Sequence, residues 1–165
     1  SVYGRSKLDG EQAVLAALPT ATVVRTAWLY TGGAGQDFVA VMARKAAGGE
    51  SVEVVDDQIG SPTYVADLTD VLLQLVDGDV GAPLLHAADA GAVSRFTQAQ
   101  AVYAAVGADP DLVRPVGTDR MPRPARRPAY SALGSRDSVA AGLVPPRPWS
   151  DALADAVARA ANRIG

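Results

Sequence analysis

The sequence predicts an α/β fold built on a parallel sheet, and two observations carry that reading. A helical opening ends at Leu18-Pro19, and a run from Ala21 to Tyr30 follows at once. That run is nearly continuous in apolar and β-branched residues, as strands buried on both faces of a parallel sheet are. Segments of helical and of strand character then follow one another along the rest of the chain, which fits the same class.

The first helix carries the chemistry. Tyr3 and Lys7 stand four positions apart in Ser1-Val2-Tyr3-Gly4-Arg5-Ser6-Lys7, a spacing that puts both side chains on one helical face. A cation beside a phenol favours the phenolate, and such a tyrosine can give or take a proton near neutral pH. The competing reading is an ordinary amphipathic helix with Leu8, Leu15 and Leu18 as its buried stripe. In an open parallel sheet the ligand crevice lies beyond the carboxyl ends of the strands. Ala27, Trp28 and Tyr30, at the end of the Ala21 to Tyr30 run, are therefore expected near cofactor and substrate.

Further on, Thr31 to Gln36 reads as a turn and residues 37–46 as a helix, with Phe38, Val41, Met42 and Lys45 at helical spacing, closed by Gly48-Gly49. Residues 51–55 alternate as a half-exposed strand, and residues 56–63 form a polar turn. Leu68, Val71, Leu72, Leu75 and Val76 give the next helix a clean apolar face. Residues 83–88 form a short strand around His86, the single histidine of the chain, which reads as structural. Ser94 is placed to cap a helix closed by Gly107. Six arginines lie between Arg114 and Arg136, interleaved with prolines, a stretch that reads as a loop suited to a small anion. Residues 145–149 form a stiff extended link. Ser150 caps a last helix through Leu153, Val157, Ala160 and Ile164, with Asp151 in its first turn and Arg159 and Arg163 near its end.

Composition sets bounds on function. The 165 residues are 48% apolar and 20% charged, with a net charge of −3, which suits one ordinary globular domain and argues against nucleic acid as a partner. There is no cysteine, so disulfides and thiolate metal sites are excluded. No apolar run is long enough to span a membrane and no signal peptide is evident; a cytoplasmic location is expected. The chain opens without methionine, directly on the Tyr-x-x-x-Lys motif, and has no Gly-rich dinucleotide fingerprint of the kind that receives a pyrophosphate. Residues 1–165 are therefore expected to be a C-terminal half whose dinucleotide-binding half is absent, and to be inactive alone.

The Tyr3 to Lys7 motif and the strand after it resemble the extended short-chain dehydrogenase/reductases. Adding Arg25-Thr26-Ala27-Trp28-Leu29-Tyr30, Asp57-Gln58-Ile59-Gly60-Ser61-Pro62-Thr63 and Arg127-Pro128-Ala129-Tyr130-Ser131-Ala132-Leu133 narrows the resemblance to the dTDP-4-dehydrorhamnose reductases. It implies the C-terminal part of a Rossmann-type doubly wound parallel sheet plus a small substrate-binding subdomain. It also implies reduction of the 4-keto group of dTDP-4-dehydro-L-rhamnose by NADPH, or NADH, to dTDP-L-rhamnose for cell-surface polysaccharide. Tyr3 would donate the proton, and Lys7 would hold the nicotinamide ribose and favour the phenolate. Trp28 would line the sugar site, and Arg127 and Ser131 would sit by the nucleotide sugar. A guanidinium matches phosphate oxygens well; Arg25, inside a strand, reads as structurally paired.

The chain departs from the family pattern at Asp37, where Asn often precedes the helix-starting Phe, and it lacks the upstream Ser/Thr of the catalytic set. No metal ligand is assigned, and a homodimer is compatible with the resemblance. Nucleotide-sugar epimerases and dehydratases of the same superfamily are the alternative, but they tend to carry Pro and Asn where this chain has Thr26 and Trp28. A catalytically silent regulatory subunit is the alternative of another class, and retention of Tyr3 and Lys7 speaks against it.

Overall fold

The structure, a computed structural model, describes residues 1–33, 35–78, 80–121 and 127–161. Its helices are α1 (Val2–Ala17), α2 (Phe38–Ala47), α3 (Val65–Val76), α4 (Arg95–Ala105), α5 (Arg136–Ala140) and α6 (Trp149–Ala161). Its strands are β1 (Val23–Arg25), β2 (Leu29–Tyr30), β3 (Val52–Val55), β4 (Ile59–Gly60), β5 (Thr63–Tyr64), β6 (Leu84–His86), β7 (Val93–Ser94) and β8 (Val113–Val116). Among the described residues they pair two by two. β1 with β6, β2 with β5 and β3 with β8 are parallel, and β4 with β7 is antiparallel.

The run from Ala21 to Tyr30 is not one strand. It breaks at residues 26–28, where Trp28 adopts a left-handed backbone with φ 47°, a region that a bulky residue enters only at a cost. The break passes the chain from one ladder to another: β1 pairs with β6, whereas β2 pairs with β5. Tyr30 consequently turns inward. It is 1% exposed and stacks on Tyr64 at 5.6 Å, so it belongs to the core and not to the ligand crevice.

Two apolar cores result. Val71, Leu85, Ala87 and Leu143 form one beside the β1–β6 ladder. Val39 and Met42 of α2, Val102 and Tyr103 of α4, and Leu153 and Val157 of α6 close over β2, β3, β5 and β8 to form the other. In α2 the buried row is Val39, Ala40, Met42 and Ala46, while Lys45 points out to Glu50 at 2.6 Å. In α3 only Val71 of the expected apolar face is buried; Leu72 is 44% and Val76 81% exposed. The helix meets this core through Val71, with Leu68 and Leu75 at its border, and Leu72, Leu73 and Val76 face outward. α1 buries none of its residues, so Leu8, Leu15 and Leu18 do not form a core stripe. It is tied to β1 by Arg25, whose guanidinium donates to both oxygens of Glu11 at 2.6 and 2.7 Å, the structural pairing expected of Arg25.

Three local expectations change. Residues 56–63 contain β4 and the start of β5, and Gly60, Ser61 and Thr63 are buried; the Ser61 hydroxyl is satisfied inside, accepting from Leu133 N at 3.0 Å and donating to Gly91 O at 3.3 Å. Arg114 belongs to β8, which completes a parallel ladder with β3, Arg120 to a 3-10 turn and Arg136 to α5. The arginines therefore do not share one loop, and Arg123 and Arg126 lie outside the described residues. α6 begins at Trp149, one residue before the expected cap, because the Pro148 carbonyl accepts from the amides of Asp151 and Ala152; Arg163 and Ile164 lie outside the described residues. Ser94 caps α4 as expected, its hydroxyl accepting from Thr97 N at 3.0 Å. His86 is structural: its Nδ1 lies 3.0 Å from Gly134 O, and its main-chain N–H donates to Ser138 Oγ at 2.8 Å.

One buried charge site stands out. Asp89 is 1% exposed, and its Oδ2 accepts from Tyr64 N at 2.9 Å. Burial pushes its carboxyl up to about 7, and the charge of Asp67 acts in the same direction, while the Tyr64 N–H and Arg147 oppose it. The folded chain therefore holds a proton that the unfolded chain has released between the ordinary carboxylate value and about 7, so this group's contribution falls with pH across that window and then levels off. In Asp89→Asn the Tyr64 N–H keeps an acceptor and the titration is gone. Melting temperatures measured from pH 4 to 8 should show the variant gaining on the wild type as pH rises to about 7, with no further gain above it; a constant difference would remove Asp89 from this role.

Candidate active site

Ser1 sets the start of α1, its hydroxyl accepting from Gly4 N at 3.1 Å, as short hydroxyl side chains do at helix starts. Tyr3 and Lys7 then fall one turn apart on an exposed face, with the Lys7 ammonium 5.8 Å from the centre of the Tyr3 ring. A second cation comes from the far end of the chain. The Arg127 guanidinium lies 4.8 Å from the same ring centre. Among the described residues neither the Tyr3 hydroxyl nor the Lys7 ammonium has a hydrogen-bond or salt-bridge partner, and Tyr3 is 43% exposed.

Arg127 is brought there by the segment it begins. Ile59 N donates to Ala129 O and Ser131 N donates to Ile59 O, both at 2.8 Å, so the segment runs parallel to β4. Ser131 is anchored by these bonds. Its hydroxyl donates to Ile59 O at 3.3 Å, a long contact that competes weakly with a ligand acceptor.

Trp28 forms the second part of the site. Its left-handed backbone stores strain on the order of 1–3 kcal/mol, and its half-buried indole lies directly against Gly60. A Cβ on Gly60 would overlap Cε2, Cζ2 and Nε1 of the indole. The ring is stacked at 3.7 Å by the Arg95 guanidinium, which also lies 4.6 Å from the ring of Phe38. Gly60 and Ile59 are neighbours, so β4 seats Trp28 with one residue and the Arg127 segment with the other.

Asp37, the departure from the family pattern, is the N-cap of α2. Its carboxylate accepts from Ala40 N at 3.0 Å and from the Thr31 hydroxyl and amide at 2.7 and 3.1 Å. Partial burial works against its charge, yet these bonds outweigh it and hold the carboxyl below its ordinary value. Position 37 thus serves the backbone of α2 and the turn before it. Arg95, Phe38 and Gly60 were not legible as site residues, since they meet Trp28 only in space; the Ser94 cap signal located the start of α4 but not what Arg95 would touch.

Fold and site together define a class: part of a Rossmann-type doubly wound α/β fold of the extended short-chain dehydrogenase/reductase kind, bearing a Tyr-x-x-x-Lys helix. The model of the RmlD substrate binding domain family matches residues 1–162, and the chain belongs to that family. It is 62% identical over 158 residues to the dTDP-4-dehydrorhamnose reductase of Mycolicibacterium smegmatis, covering 96% of this chain and 48% of that protein. It is 63% identical over 161 residues to the dTDP-4-dehydrorhamnose reductase of Mycobacterium tuberculosis, covering 98% and 53%. The crystal structure of dTDP-4-dehydrorhamnose reductase from Bacillus anthracis in complex with NADP superimposes with a TM-score of 0.87 at 33% identity, over 96% of this chain and 56% of that one. The chain spans about half the length of the curated relatives it matches.

The seat of Trp28 yields a direct test. Gly60→Ala forces the indole out of place, and overpacking of this kind typically costs about 1–3 kcal/mol. Thermal melting should fall accordingly and the tryptophan emission should shift; a variant with unchanged melting and emission would show that the ring has room elsewhere.

Proposed function

We propose that the chain supplies the proton-donating and sugar-binding half of a reductase that converts the 4-keto group of dTDP-4-dehydro-L-rhamnose to the hydroxyl of dTDP-L-rhamnose, for cell-surface polysaccharide. The observation that carries this reading is the convergence of Lys7 and Arg127 on the Tyr3 ring, from opposite ends of the chain. The reading is supported by relatives named dTDP-4-dehydrorhamnose reductases at 62% and 63% identity. On this reading the whole protein also has a dinucleotide-binding half.

The donor set suits a nicotinamide cofactor. Lys7 offers three N–H donors with no acceptor and Tyr3 offers a hydroxyl; both are exposed on one face, so Lys7 can hold the ribose hydroxyls. NADPH, or NADH, when bound supplies the hydride to the keto carbon. Tyr3 gives its phenolic proton to the oxygen that becomes an alkoxide. Trp28 presents a rigid aromatic face for the apolar side of the sugar, with little rotamer freedom to lose. Arg127, over the Tyr3 ring, has its planar fork of donors available to a phosphate oxygen, and Ser131 holds its segment against β4. In the dehydratase and epimerase pattern a different residue occupies the position of Trp28, so the stacked indole favours the reductase. A homodimer in the cytoplasm completes the reading.

In the complete reductase, Tyr3→Phe keeps the ring and removes the proton donor, so turnover should fall by ~10²–10⁴-fold while NADPH affinity stays near that of the wild type. Lys7→Ala should weaken cofactor binding and turnover together. Steady-state kinetics with the keto-sugar and NADPH distinguish the two. Near-normal turnover in Tyr3→Phe would take Tyr3 out of the mechanism.

A further inference from the structure

Among the described residues Trp28 is the one non-glycine with a left-handed backbone, and the packing around its indole explains how that conformation is held. On one side Gly60 leaves room that any side chain would fill. On the ring itself lies Arg95, its guanidinium carbon 3.7 Å from the ring centre and 4.6 Å from that of Phe38. Arg95 is fixed in turn. Its Nη1 donates to Oε1 of the fully buried Gln98 at 3.0 Å, and its main-chain N–H donates to Gln58 O at 3.2 Å, just before β4.

The dipole of α4 does not favour this arginine. It is the first residue of α4, where the helix dipole opposes a positive charge, and the first turn of α4 holds no acidic residue. What the position offers is the plane of a guanidinium laid against two aromatic rings, which a point-like ammonium reproduces only in part.

We propose that Arg95 is a positioning and specificity-determining residue, whose guanidinium, held by Phe38 and Gln98, keeps the Trp28 indole in the orientation that receives the sugar. The inference rests on the reading of Trp28 as the sugar-facing residue. Through Trp28, Arg95 governs how well the keto-sugar is bound and leaves the cofactor site alone. A sugar that lacks the apolar face matched to the indole gains nothing from the clamp, so the device discriminates among nucleotide sugars.

The test uses the complete reductase with Arg95→Met and Arg95→Lys, and three measurements: steady-state constants, melting temperature, and acrylamide quenching of the emission that disappears in Trp28→Phe. Arg95→Met should raise KM for the keto-sugar about 3- to 30-fold, the range that a cation–π contact is worth in a binding constant, with KM for NADPH unchanged and Trp28 more readily quenched. Arg95→Lys, which keeps the charge but not the plane, should fall between wild type and Arg95→Met. Should Arg95→Met fail to fold, Arg95→Lys decides by the same two readouts. Wild-type quenching and keto-sugar KM in the folded variant would overturn the proposal, and so would a lower melting temperature with both unchanged. If the wild-type protein does not reduce the keto-sugar, the reductase reading fails by itself; quenching then still judges the clamp, upheld by greater exposure of Trp28 in Arg95→Met and overturned by none.

Discussion

Two residues of main chain, Ile59 and Gly60, hold the candidate site together. As β4 they pair antiparallel with β7, Ile59 opposite Ser94 and Gly60 opposite Val93, and this pairing places Arg95, the next residue after β7, beside Trp28. The Ile59 amide and carbonyl also carry the segment that begins at Arg127, while Gly60 leaves the space in which the indole lies. Main-chain hydrogen bonds are short and directional, so a strand of two residues can set the relative position of three segments distant in sequence. The cluster around Tyr3 and the aromatic cluster around Trp28 are registered through it.

Behind this strand the interior is unusually polar for so small a core. Ser61, Thr63, Asp89 and Gln98 are all buried. Some of their groups are paired, Ser61 with Leu133 and Gly91 and Asp89 with the Tyr64 amide. Others, Asp89 Oδ1 and the Tyr30 hydroxyl among them, have no hydrogen-bond partner among the described residues. Burial and the charge of Asp89 push the Tyr30 phenol up, so it keeps its proton. Arg147 borders the same region, donating to both oxygens of Asp67 at 2.9 and 3.0 Å and to Asp155 at 2.8 Å. It fastens α3, the proline-rich link and α6 to one another.

Helix positions were largely legible from local signals. Ser94 accepts from the amide three residues on, as its cap signal implied, and the Tyr3–Lys7 spacing survives because i and i+4 are neighbours on any helix. Strands were less legible. The Ala21 to Tyr30 run carries a uniform apolar pattern across a place where the chain leaves one ladder for another, and nothing in its composition marks Trp28 as left-handed. β4, β5 and β7 are two residues long, too short for a period-two pattern to register. The apolar face of α3 was visible as a pattern, yet the pattern does not say which row of side chains is covered.

The sequence by itself determined the α/β class, the Ser94 cap, and a tyrosine and a lysine on one face of the first helix, because each of these depends on residues within a turn or two of one another. Only the tertiary structure decided that Arg127 lies over Tyr3, that Tyr30 is core and Trp28 is not, and that Arg95 and Gly60 form the seat of the indole. Those contacts join residues more than thirty positions apart, and they are selected by which side chains can be buried together and which main-chain groups remain to be paired.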